Sequence, residues 1–203
     1  MIFGVVVSVI CVYLYVICVH LFYMNQGLKE MYIKKVIPAM RADFGYKNIM
    51  AVPKIEKVVI NCGVGRIKDE KQLETIQKML ALITGQKPSP RPAKQAIASF
   101  KTREGMIIGY QVTLRGKRMY DFLSRFINIA LPRERDFRGI DEKSFDPKGN
   151  LTIGVKEHIV FPELTGEDVR FMFGFEVTIV TSAKKREEGV ALLKHFGFPV
   201  KDK

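Results

Sequence analysis

Cysteine and histidine are scarce in this chain of 203 residues, which has three of each. Cys11 and Cys18 lie inside an apolar leader, so no disulfide framework is available and a reducing compartment fits. Cys62 ends a strand-like run and reads as a small buried residue. His20, His158 and His195 are scattered, and none stands in ligand spacing with a cysteine, which excludes the usual zinc patterns. Walker lysine, Gly-x-Ser-x-Gly and His-Glu-x-x-His motifs are absent. "GVGR" at 63–66 supplies two glycines of a dinucleotide loop, but Lys68 stands where the third belongs, so it reads as a tight turn. The alternating signs of "PRERDFRG" (132–139) read as a solvated ion-pair surface. The expectation is a non-enzyme with no cofactor and no metal.

Acid is locally scarce as well. From Thr84 to Arg118, eight basic residues face Glu104 alone, which is more than half of the chain's net +12. A pI near 9.6 points to an anionic partner, and clustering favours a binding surface over a solubilising coat. The apolar fraction of 47% and charged fraction of 27% are those of a folded protein with one sizeable core.

Charge is missing altogether from residues 1–23, which are long and apolar enough to cross a bilayer. Neither an opening basic residue nor a small-residue cleavage site marks a secretory signal. Two readings stand. One is a transmembrane anchor, with Lys29, Lys34 and Lys35 keeping the body in the cytoplasm. The preferred one takes 1–23 as upstream sequence read from a start placed too early, with the true start at Met24. The body, 24–203, shows no adaptation to a membrane.

Along the body, residues 28–44 predict a helix carrying Leu28, Met31, Tyr32, Met40 and Phe44, kinked or shortened at Pro38. Residues 52–65 predict a strand and glycine turn. Leu73, Ile76, Leu80 and Ile83 form the stripe of an amphipathic helix stopping at Gly85. Pro88, Pro90 and Pro92 then hold a stiff extended arm. Residues 96–100 and 107–116 read as two strands joined through "KTREG". Met119, Phe122, Leu123, Phe126, Ile127 and Ala130 mark a helix ended by Pro132. Residues 151–161 and 173–181 read as strands, the latter with Phe173, Phe175, Val177 and Ile179 inward. Ser182 is placed as the cap of a last helix, near 183–196. The fold class expected is a single α+β domain, an antiparallel-rich sheet with helices packed on one face and a protruding basic loop. The other face stays free for a ligand.

Lys87, Arg91, Lys94, Lys101 and Arg103 along an extended backbone suit phosphates, and five such contacts give a log–log salt slope of roughly −3.5 to −4.5. Phe100 is assigned to core packing in preference to stacking on a base. Asn61, Gln86, Thr113 and Arg115 bear amide, hydroxyl and guanidinium donors suited to phosphates, 2′-hydroxyls and base edges. Singly they read as a turn amide, a cap or a β-forming residue. They matter only if the fold gathers them on one face.

Six long runs carry a resemblance: "FGYKNIMAVPKIEKVVINCGVG" (44–65), "LALITGQKP" (80–88), "IGYQVTLRGKRMYDFL" (108–123), "ALPRERDFRG" (130–139), "SFDPKGNLTIGVKEHIVFPE" (144–163) and "HFGFP" (195–199). Over Met24 to Lys203 the chain resembles the bacterial-type large-subunit ribosomal protein five, the family that binds 5S rRNA. The resemblance implies a structural protein of the cytoplasmic ribosome that docks 5S rRNA into the central protuberance and touches 23S rRNA. It also implies a bridge to the small-subunit head. On the family pattern, Asn61, Gln86, Thr113 and Arg115 match rRNA-contacting positions, and Lys87 to Arg103 matches a loop reaching the peptidyl-site tRNA. The chain departs from that pattern at Gln95 and Ala96, where the family carries a second base and a serine, and at Pro147 and Ile107. The competing reading is a membrane-anchored basic protein whose cytosolic domain binds acidic lipid or a protein partner, supported by residues 1–23 alone.

Overall fold

Apolar residues on alternate positions of four short runs favour a sheet with one face buried. The computed structural model describes residues 27–67, 69–164 and 172–201. The readings of 1–23, as anchor or as upstream sequence, lie outside these residues. Within them, no helix is long and apolar enough to cross a membrane.

Five antiparallel strands, β1 (Ile55–Gly63), β2 (Ser89–Pro92), β3 (Ile107–Leu114), β4 (Leu151–Val155) and β5 (Phe175–Thr181), lie in the order β2-β3-β1-β5-β4. Register pairs Val58 with Leu114 and Ile179, and Ile60 with Val112 and Val177, all buried. Cys62 opposes Tyr110 on the same face, and burial pushes its thiol up to about 12, so it is inert as a nucleophile.

Four helices among the described residues cover that apolar face. α1 runs Leu28–Met31, through a π turn at Tyr32–Val36, into Ile37–Phe44. α2 is Glu70–Thr84, opened by the Asp69 carboxylate accepting from Lys71 N–H at 3.1 Å and closed by Gly85 at φ +66. α3 runs Gly116–Arg125, a π turn at Phe126–Ala130, then Leu131–Arg133. α4 is Arg186–His195.

Pro38 does not end its helix, and the helix carrying Pro132 closes one residue after it, at Arg133, close to the expected end. Each stands second in the α segment that follows a π turn. The wider turn relieves the clash with the carbonyl four residues back and removes the need for the missing N–H. Leu28 and Met40 are buried as expected, whereas Phe44 turns outward. In α3, Met119, Phe122, Leu123, Phe126 and Ala130 are buried and Ile127 packs at the margin. Phe122, Phe126 and Phe161 stack with centroids 5.8–6.4 Å apart.

Several local expectations fail for identifiable reasons. Residues 96–100 are not a strand. β3 takes the proline-bearing segment Ser89–Pro92 as its partner instead, and 93–106 form the arm. An edge strand uses only one of its two hydrogen-bonding sides, so alternate prolines fit there. Phe100 is 73% exposed, not core, because it lies on the arm, outside the sheet. The strand expected over 151–161 stops at Val155. Ser182 does not cap α4; its hydroxyl accepts from Lys54 N–H at 2.9 Å, and Lys185 takes the cap position. Arg133, Arg135 and Arg138 are not the ion-pair surface expected. Among the described residues no ion pair joins them to Glu134 or Asp136, and Glu134 accepts from Lys156 N–H at 3.4 Å instead.

Candidate nucleic-acid interface

The register that buries one face lays out the other in rows. Across all five strands runs Ser89–Gln111–Asn61–Glu176–Gly154. Beside it runs Thr113–Val59–Thr178–Thr152, and on its other side Arg91–Gly109–Gly63. Lys57 opposes Val180 on the same face. Arg115 continues β3 in extended backbone, φ −139 and ψ 164, two residues beyond Thr113 and so on the same face. Among the described residues, no helix packs here.

Asn61, Thr113 and Arg115 are therefore gathered on one surface. Asn61 reaches toward β3: its Oδ1 lies 4.0 Å from where a Cβ on Gly109 would sit. Gln86 is not part of the sheet. It lies in the exit turn of α2, where its N–H donates to Thr84 Oγ1 at 3.3 Å. Lys87 follows it, exposed, just before β2.

Polar chemistry on this face is largely unspent. Thr152 and Thr178 hydrogen-bond each other at 3.2 Å. Among the described residues, the side chains of Asn61, Gln111, Thr113, Arg115 and Glu176 have no internal hydrogen bond or ion pair. Water satisfies them in the free protein, so leaving them unpaired costs nothing until a ligand replaces that water. The face presents amides, hydroxyls and cations over a floor in which Gly63 and Gly154 leave room for close approach.

The cations of the arm divide into two groups. Arg91, opposite Gly109, belongs to the edge of the sheet face. Lys94, Lys101 and Arg103 are exposed on the loop beyond it. Ala93 N–H to Met106 O (2.8 Å) and Gly105 N–H to Ala93 O (3.0 Å) close the base of that loop. Near its tip Ile97 bridges Thr102, and Lys101 adopts φ +51, a left-handed conformation that a side chain rarely takes. Between loop and sheet lies an apolar groove of about 1050 Å³, lined in part by Ile97, Phe100, Ile108 and Met172.

Sequence reasoning missed Ser89, Gln111 and Glu176 as members of this polar face. Counting back two from Thr113 reaches Gln111 on the same face, a signal that was available. The juxtaposition of Asn61 with Glu176 rests on long-range register and had none.

The family model for ribosomal protein L5 matches residues 48–103, and the model for the C-terminus of the same ribosomal family matches 107–200. The large ribosomal subunit protein uL5 of Trichlorobacter lovleyi is 53% identical over 176 residues, 86% of this chain and 98% of the relative. The chain belongs to the ribosomal protein L5 family. Relatives of the same name from Halothermothrix orenii and Streptococcus thermophilus are each 51% identical and cover 85% and 87% of the chain. The two L5 family matches meet between Arg103 and Ile107, inside the basic arm, so both sides of the open face fall within the shared region.

Proposed function

We propose that residues 24–203 form an rRNA-binding domain that docks the open sheet face on 5S rRNA and offers the arm to the peptidyl-site tRNA. Family membership makes the chain a structural, non-catalytic constituent of the large ribosomal subunit, and so a ribosome-bound cytoplasmic protein. Further contacts belong to the same reading: 23S rRNA, and the small-subunit head across a bridge. The supporting observation is the row of unpaired amide, hydroxyl and guanidinium groups on a helix-free, glycine-floored face. RNA helices and loops present phosphates, 2′-hydroxyls and base edges, and a shallow surface of this kind can meet all three.

The test is binding of a 5S rRNA transcript by the full chain at moderate salt with magnesium. Thr113→Ala with Arg115→Ala weakens it by about 2–4 kcal/mol, at about 1–2 for each hydrogen-bonding group removed. Neither side chain makes an internal hydrogen bond among the described residues, and an unchanged melting temperature of the double variant checks that its fold is kept. Wild-type affinity in the variant refutes the sheet-face assignment.

A further inference from the structure

Glu176 is out of place on the open face. It is the only acid in the rows described above, set between Asn61 and Gly154 on a surface otherwise made of amides, hydroxyls, cations and glycines. A carboxylate on a phosphate-collecting surface weakens binding unless it meets a donor. On folded RNA the available donors are base edges and 2′-hydroxyls.

The surroundings suit a base. Glu176 is exposed, and among the described residues neither its carboxylate nor the Asn61 amide has a partner. A Cβ built on Gly63 or on Gly154 meets nothing within 4 Å. The space above these glycines is open, and beside it lies a depression of about 460 Å³, lined in part by Asn61, Gly63, Gly154, Lys156, Gly174 and Glu176.

We propose that this depression receives one unstacked guanine of the bound RNA, whose N1–H and N2–H donate to the two oxygens of Glu176. The proposal rests on the reading of the sheet face as an rRNA surface. Guanine is singled out by its Watson–Crick edge, which carries two adjacent donors. Adenine and cytosine set an acceptor beside their amine, and uracil flanks its single donor with two acceptors; a carboxylate repels each of these acceptors. Lys156 and the Asn61 amide, on the same rim, supply donors for the guanine O6 and the neighbouring phosphate. Glu176 thus gives base selectivity to a surface that otherwise reads shape and phosphate.

The experiment compares the full chain with Glu176→Gln on 5S rRNA transcripts carrying inosine, which lacks the N2 amine, at single guanosines. Wild type is expected to bind about five- to tenfold more weakly when one particular guanosine is replaced. Glu176→Gln is expected to bind unmodified 5S rRNA about tenfold more weakly and to lose that dependence on inosine. An acid with no partner on the RNA predicts the opposite sign, since its removal takes a negative charge off a phosphate-binding face. Unchanged or tighter binding by Glu176→Gln, or the same inosine map for both proteins, overturns the proposal. The side chain is exposed and the substitution nearly isosteric, so an unchanged melting temperature certifies the fold. Failure of the wild type to bind 5S rRNA at all refutes the sheet-face reading, and the guanine site falls with it.

Discussion

Single residues carry constraints that no pattern announces, and Gly189 is the clearest. It lies inside α4, where glycine normally costs about 1 kcal/mol relative to alanine. Its reason is Gly149, held at φ +77 in the turn before β4. A Cβ on Gly189 would stand 2.5 Å from the Gly149 Cα, and a Cβ on Gly149 would stand 2.9 Å from the Gly189 Cα. The turn cannot retreat. Asp146 Oδ1 accepts from the N–H groups of Lys148 (2.9 Å) and Asn150 (2.7 Å), and Thr181 Oγ1 donates to Gly149 O at 3.0 Å. Gly189→Ala is therefore expected to destabilise the protein by about 2–3 kcal/mol despite its better helix propensity, read as a lower urea midpoint. A midpoint equal to or above wild type contradicts the close backbone approach.

At the scale of elements, the sequence was readable wherever periodicity was strong. The stripe of α2, the aromatic face of α3 and the alternation of β5 each follow from apolar spacing, and each lies where that spacing predicts. The partner of β3 was not readable. A hairpin rule selects the nearest strand-like run, here 96–100, whereas the sheet uses Ser89–Pro92, which has no apolar alternation because it lies at an edge. That exchange of partners separates the arm's cations by position. Arg91 goes with the sheet face, and Lys94, Lys101 and Arg103 with the projecting loop. The triple variant Lys94→Ala, Lys101→Ala, Arg103→Ala is expected to keep 5S rRNA affinity within about twofold, because none of the three lies on the sheet face. Its log–log salt slope for a tRNA ligand becomes shallower by about 2–3, at roughly 0.7–0.9 for each phosphate no longer neutralised. Both are measurable by salt titration of filter binding. A tenfold loss of 5S rRNA affinity in this variant shows that the loop, too, lies on that RNA.

The molecule as a whole separates two tasks between the two faces of one sheet. Helices and aromatic core take one side, and polar chemistry is left the other. The donor groups of Asn61, Thr113 and Arg115 were legible as residue types. Their convergence was not, because it depends on pairings between β1, β3 and β5, far apart along the chain. The separation has a consequence measurable without any substitution. Lys57 and Lys156 lie on or at the rim of the open face, while Lys71 and Lys78 are exposed on α2, which packs on the opposite side. Brief acetylation of the complex with 5S rRNA, read by mass spectrometry, is expected to show Lys57 and Lys156 protected several-fold and Lys71 and Lys78 reacting as in the free protein. A non-specific polycation would spread protection over all four, since attraction to phosphate alone has no preferred face. Protection confined to the sheet side thus requires a ligand seated by shape and hydrogen bonding as well as by charge.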